Sequence, residues 1–167
     1  MAGYRTHEAK ITPVPLMPMR VPTPCVGLCS TTYGDSVCRG CKRFAHEIID
    51  WNRYSESEKA SVVARLDQLI GDVVSRYLLI LNPEDVRSAL ISAGLRYRAD
   101  QSPAWWAFDL FRQTKGRIGQ LGRCGLQLLP EVKSLEPWAV WDAMNAEFLA
   151  ISEGHYERYF RQPLSFD

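Results

Sequence analysis

Between Ser55 and Tyr77 the apolar residues Val62, Val63, Leu66, Leu69, Ile70, Val73 and Tyr77 recur three or four positions apart, which lays them along one face of a helix. Ser55 and Glu58 stand three apart just ahead of this run, the spacing of a reciprocal N-terminal cap, so a helix is predicted to open there. A second helix is predicted over NPEDVRSALISAG, where Asn82 can cap, Pro83 suits the first helical position and Gly94 supplies the stop. A third is predicted from Ser102 and Pro103 to Gly116. A fourth begins at Pro137 and stacks Trp141, Met144, Phe148 and Ile151 on one stripe before Gly154. No stretch alternates in the manner of a strand, apart from a short hairpin expected among the cysteines. The pattern predicts a mainly α fold.

Three segments follow from it. Residues 1–24 read as an extended tail, because Pro13, Pro15, Pro18, Pro22 and Pro24 exclude a helix, and Met17 and Met19 give that tail apolar side chains able to dock on a surface. Residues 25–54 form a small four-cysteine module. Residues 55–167 form the helical body.

Composition is that of a globular protein, 46% apolar and 23% charged. A formal net charge of +1 supplies no global attraction to nucleic acid or an anionic membrane, but the charges are unevenly placed. Residues 87–123 carry seven Arg or Lys against two Asp, whereas residues 124–167 carry three against seven acids. No signal-type apolar core is present near the N-terminus, and no run approaches the roughly 18 residues of a membrane span. These features predict a cytoplasmic protein without membrane contact. In that reducing setting, clustered cysteines point to metal rather than disulfides.

Four of the five cysteines fall within PCVGLCSTTYGDSVCRGCKRF. Cys25 and Cys29 form a C-x3-C pair and Cys38 and Cys41 a C-x2-C pair, with Tyr33-Gly34-Asp35 between them suited to a chain reversal. Each close pair can bend around one ion, and the longer loop brings the second pair back to complete a tetrahedron. The arrangement looks like a minimal treble clef or zinc ribbon. If the chain is helical from Cys41, then Cys41, Phe44, Ala45 and Ile48 face the core, and Lys42, Arg43, His46, Glu47 and Asp50 face away. Such a helix would aim its N-terminus at the thiolates. Arg39, Lys42 and Arg43 can offset thiolate charge, although each taken singly reads as solvated surface. His46 falls about 140° around the axis from Cys41, so it reads as a surface residue beside Glu47 or Asp50 rather than a ligand. Cys124 reads as a small buried or loop thiol. A nucleophilic role would need a histidine partner, and only His7, His46 and His155 exist.

The run Pro24-Cys25, Cys29, Cys38-Arg39-Gly40-Cys41, Arg43, Glu47-Ile48, Trp51 and Glu58 resembles the YdhL-like family of small bacterial proteins, described as predicted iron-sulfur proteins. The resemblance covers about forty residues, to about Leu66, and implies a cluster but no defined activity. Zinc and an iron-sulfur cluster both accept four thiolates, so spacing leaves both open, with structural zinc the leading reading. A complete four-cysteine shell leaves no position for a reactive water.

The segment LRYRADQSPAWWAFDLFRQTKGRIGQLGRCG mixes arginines with aromatics. AWWAFDLF is apolar nearly all round, as a buried helix is, so its rings belong to the core. The loop beyond it, with glycines at 116, 119, 122 and 125, can bring backbone amides to a phosphate but lacks the ending of a P-loop. Candidate nucleic-acid or phosphate contacts are therefore Arg112, Lys115, Arg117 and Arg123, with Arg39, Lys42 and Arg43 beside the cysteines. The acidic C-terminal part reads as a packing helix, from which Trp138, if exposed, can anchor a partner. Together these features predict a non-enzymatic, metal-stabilised protein that binds RNA, DNA or a protein, with no small-molecule substrate. The alternative is an iron-sulfur protein in electron transfer or redox sensing.

Overall fold

Ser55 opens the longest predicted helix as the spacing requires: in the computed structural model, which describes residues 20–161, its hydroxyl accepts from the Glu58 N–H while Glu58 accepts from the Ser55 N–H at 2.8 Å. The positions Pro13, Pro15, Pro18, Met17, Met19 and His7 lie outside the described residues. The elements are α1 (Ala45–Ile49), α2 (Glu56–Val74), β1 (Leu78–Ile80), α3 (Pro83–Ser92), α4 (Pro103–Thr114), β2 (Leu126–Leu128) and α5 (Pro137–Tyr156). Asn82 caps α3 by accepting from Glu84 N–H at 3.1 Å, and Ser102 caps α4 by accepting from Trp105 N–H at 3.2 Å. Helix α5 runs through Gly154 to Tyr156 rather than stopping before the glycine. None of the described helices is long and apolar enough to cross a membrane.

The two strands are an addition to the predicted elements. β1 and β2 pair antiparallel, Leu78 opposite Leu128 and Ile80 opposite Leu126. Three residues are too few to display a period of two, and Leu78 follows directly from the apolar pattern of α2, which hid the strand.

The core lies where α2, α3, α4 and α5 meet over this ribbon. Leu66 and Val73 from α2, Leu90 from α3, Phe111 from α4 and Val140 and Met144 from α5 are all fully buried. Residues Trp105 to Phe111 are buried without a break, so α4 is the central helix that AWWAFDLF predicts. Phe108 meets Trp141 at 5.3 Å and Phe148 edge-on at 5.5 Å, a geometry that suits the charge distribution of the rings.

Gly125 fixes the ribbon to α3. Its φ is +68°, and a Cβ there would lie 2.4 Å from the Asn82 carbonyl oxygen, while its own carbonyl accepts from Leu81 N–H at 2.8 Å. Gly125→Ala is therefore expected to lower unfolding free energy by about 2–4 kcal/mol, the sum of a left-handed side chain and a backbone clash, read as a lower urea midpoint. Gly119→Ala, where a Cβ meets open space, is the control.

Candidate metal centre

The second cysteine pair is built by a tight reversal. Val37 and Phe44 form an isolated antiparallel bridge, Cys38 N–H donates to Arg43 O at 2.9 Å, and Lys42 N–H donates to Cys38 O at 2.8 Å. Lys42 closes the turn in the left-handed region at φ 59°. This path sets the Cys38 sulfur near the Cys41 thiol and among the backbone amides of Cys41, Ser30 and Gly40, which favour its charged form. Burial pushes the Cys38 thiol up, but those amides outweigh it and hold the group below its ordinary value. Burial pushes Cys41 up in spite of the Arg43 guanidinium, whose Nε lies 3.4 Å from its sulfur.

The first pair lies across this turn. A Cβ on Gly40 would stand 2.7 Å from Leu28 O and 2.8 Å from Val26 Cγ2, so only glycine admits the loop so closely. The Cys38 thiol donates to Leu28 O at 3.5 Å, a bond that a thiolate would give up. Cys25 is exposed and its sulfur accepts from Gly27 N–H at 3.4 Å, while the Cys29 sulfur sits 2.9 Å from Thr31 Oγ1. Beyond Cys29 a 3-10 turn, Ser30–Tyr33, ends on Gly34 in the left-handed region, where the sequence predicts the reversal. Among the described residues no three Cys, His, Asp or Glu side chains converge as a metal requires. The Cys38–Cys41 turn thus fits one half of a tetrahedral thiolate site, and the sulfurs of the first pair point elsewhere.

Helix α1 starts at Ala45, after Phe44, and not at Cys41, which corrects two expectations. The helix does not begin at the cysteines, and the helical wheel that put Lys42, Arg43 and Glu47 on the solvent side does not apply. All three are buried. Lys42 is 1% exposed, and its Nζ donates to Arg39 O at 2.7 Å, Gly40 O at 3.2 Å and Asn145 Oδ1 of α5 at 2.6 Å. It also lies 5.3 Å from the Phe148 ring. Burial lowers its pKa to about 8. Arg43 packs over Trp51 at 4.8 Å. Neither side chain is open to a nucleic acid, so both leave the list of candidate contacts.

Glu47 accepts from Phe44 N–H at 2.8 Å and from Arg65 Nη2 at 2.7 and 3.0 Å, with the guanidinium 4.0 Å over the Phe44 ring. This pair, Glu47 buried and Arg65 half-buried, joins α1 to α2. Glu47→Ala is expected to destabilise by about 3 kcal/mol, because it strands the Arg65 charge, and calorimetry would read it as a lower Tm. His46 packs its ring against Phe160 at 4.7 Å and is not paired with Glu47, whose oxygens are taken by Arg65 and Phe44.

The basic segment divides in the same way. Arg112 is half-buried and paired with Asp109 at 2.8 Å, and Arg39 is exposed but paired with Asp35 at 2.9 Å. Lys115 is exposed, ends α4 in the left-handed region at φ 54°, and lies 5.6 Å over Trp141. Arg117 and Arg123 are exposed, and neither forms an ion pair among the described residues. The glycine loop that carries them is pinned at its two ends: Gly116 and Gly125 are both wedged against backbone, with a Cβ on Gly116 falling 2.4 Å from Pro137 O, whereas Gly119 and Gly122 face open space. Cys124 packs beside the core, and burial pushes its thiol up. Trp138 is 58% exposed at the start of α5, and His155 lies edge-on to Tyr159.

Arg65 and Asn145 are the residues that sequence reasoning missed, while it singles out Lys42 and Glu47 but places them on the solvent side. Asn145 is 103 positions from Lys42, and no local pattern announces such a contact. The comparisons place the cysteine module but add no chemistry. No curated protein and no solved structure matches the chain. Residues 23–69, which contain all four clustered cysteines, α1 and most of α2, match the model of a family described as a protein of unknown function (DUF1289).

Proposed function

We propose that Cys25, Cys29, Cys38 and Cys41 hold one structural zinc ion, and that the helical body held by this clasp binds nucleic acid or a nucleic-acid-handling protein rather than catalysing a reaction. The observation that carries the metal reading is the tight Cys38–Cys41 turn, closed by the Cys38 N–H to Arg43 O and Lys42 N–H to Cys38 O bonds, with both of its cysteines buried. Zinc would supply a fixed four-thiolate crosslink. Closing its shell asks the Cys25–Cys29 loop, already seated on Gly40, to turn two thiols toward the second pair. The chain's own residues supply the surroundings. Lys42 and Arg43 are cations beside the sulfurs, and both are anchored by contacts outside the ligand set.

The binding reading rests on the exposed cations Lys115, Arg117 and Arg123, which follow one another within nine residues of the basic segment. Double charge reversal, Arg117→Glu with Arg123→Glu, is expected to weaken binding of a labelled RNA or DNA and to flatten its salt dependence by about one to two in slope. The check is fluorescence polarisation at several salt concentrations. No binding of any nucleic acid at low salt would remove the nucleic-acid part of the reading and leave the metal part standing.

A further inference from the structure

Two clefts flank the Cys25–Cys29 loop and share two lining residues, one from the loop and one from α4. The larger, about 690 Å³, is bounded by Cys25, Val26 and Gly27 on one side and by Arg96, Tyr97 and Arg112 among the residues on the other. The smaller, about 390 Å³, is bounded by Val26, Leu28 and Tyr33 of the module and by Arg112, Lys115 and Trp141 of the body. Val26 and Arg112 belong to both, so the clefts adjoin across the loop. Both volumes fall in the range of about 300–1,000 Å³ that encloses small ligands or single units of a polymer.

Their chemistry repeats. Each cleft has one cation with no ion pair among the described residues, Arg96 in the first and Lys115 in the second. The remaining arginines are tethered: Arg98 to Asp100 at 3.0 Å, Arg112 to Asp109 and Arg39 to Asp35. No carboxylate lines the smaller cleft, and only Asp109 lines the larger. Each cleft also has one tyrosine that is not fully buried, Tyr97 packing against the edge of the core. Tyr33 is 90% exposed, and Tyr97 is half-buried, edge-on to Trp106. Trp105 and Trp141 are buried walls and present no open face.

We infer that this two-cleft groove binds single-stranded nucleic acid, with successive bases against Tyr97 and Tyr33 and phosphates near Arg96, Arg112 and Lys115. The inference rests on the nucleic-acid reading above and names its strandedness and its seat. A duplex is disfavoured because its bases are stacked inside and cannot enter clefts walled by the module. Stacking on a tyrosine is tolerant of sequence, so little base preference is expected.

The test uses the full metal-loaded chain and labelled oligonucleotides of about ten units, oligo-dT and oligo-U, against a duplex of equal length. The expected result is binding of the single strands in preference to the duplex. Tyr33→Ala should weaken that binding about tenfold without changing the salt slope, because it removes a stacking face and no charge. Arg96→Glu with Lys115→Asn should weaken it and lower the slope, asparagine being chosen because it tolerates the left-handed backbone at position 115. Circular dichroism and melting curves confirm that each variant is folded. Single-strand affinity unchanged in both variants but lost in Arg117→Glu with Arg123→Glu would overturn the groove and keep the nucleic-acid reading. Preference for the duplex would do the same. Failure of every oligonucleotide to bind at low salt would overturn both.

Discussion

Cys38→Ser is expected to abolish metal binding and to lower unfolding free energy by at least about 3 kcal/mol, because a structural metal site gives its binding energy directly to folding. Serine preserves the volume but offers a poorer, harder ligand than the thiolate. Cys38 is the most informative position because its sulfur receives the amide-directed turn and is 1% exposed. The loss should be centred on the module. The helices α2 to α5 share a core that does not include Cys38, so far-ultraviolet helicity at low temperature should persist while the melting transition moves down. Cys25→Ser should lose the metal with a smaller penalty in the metal-free protein, since Cys25 is exposed. Cys124→Ser should leave metal content unchanged. Metal retained by Cys38→Ser would remove this cysteine from the site.

Lys42→Met is the second large effect, with an expected loss of about 2–4 kcal/mol in urea unfolding. Two opposing contributions decide it. The buried ammonium is costly, as its lowering to about 8 shows, and methionine removes that cost. Against this, methionine leaves Arg39 O, Gly40 O and Asn145 Oδ1, all in part-buried bonds, without their donor, at about 1 kcal/mol or more each. Three acceptors outweigh one relieved charge. The variant also breaks the contact between the cysteine turn and α5, so Asn145→Ala should reproduce part of the loss. In a double-mutant cycle the two should be strongly non-additive. An unchanged urea midpoint for Lys42→Met would show that the module is held to the body by other contacts.

Helix α2 was legible to its first residue because its signals are local: a reciprocal cap at Ser55 and Glu58, then a periodic apolar face. The burial of Trp105, Trp106, Phe108 and Phe111 was legible for the same reason. The neighbourhood of the cysteines was not. A helical wheel drawn from Cys41 fails because the chain spends Lys42 on a left-handed turn before α1 begins, which rotates every later position. Lys42 and Arg43 consequently point inward, where Asn145, Phe148 and Trp51 receive them. Charged residues ordinarily mark the outside, and only a partner distant in sequence reverses that rule. The β1–β2 ribbon escaped notice because each strand is three residues long and its partner lies far along the chain. The groove was half legible. Its cations stood out in the basic segment, whereas the tyrosine that completes the smaller cleft comes from the cysteine module.

The central claim is that the cysteine clasp is closed by zinc, and elemental analysis of anaerobically purified protein together with its visible spectrum tests it most directly. A zinc-closed clasp gives a colourless protein with about one zinc per chain, lost in Cys38→Ser and Cys41→Ser. Iron with acid-labile sulfide and a visible band that bleaches on reduction, or a protein that carries no metal at all, would contradict it.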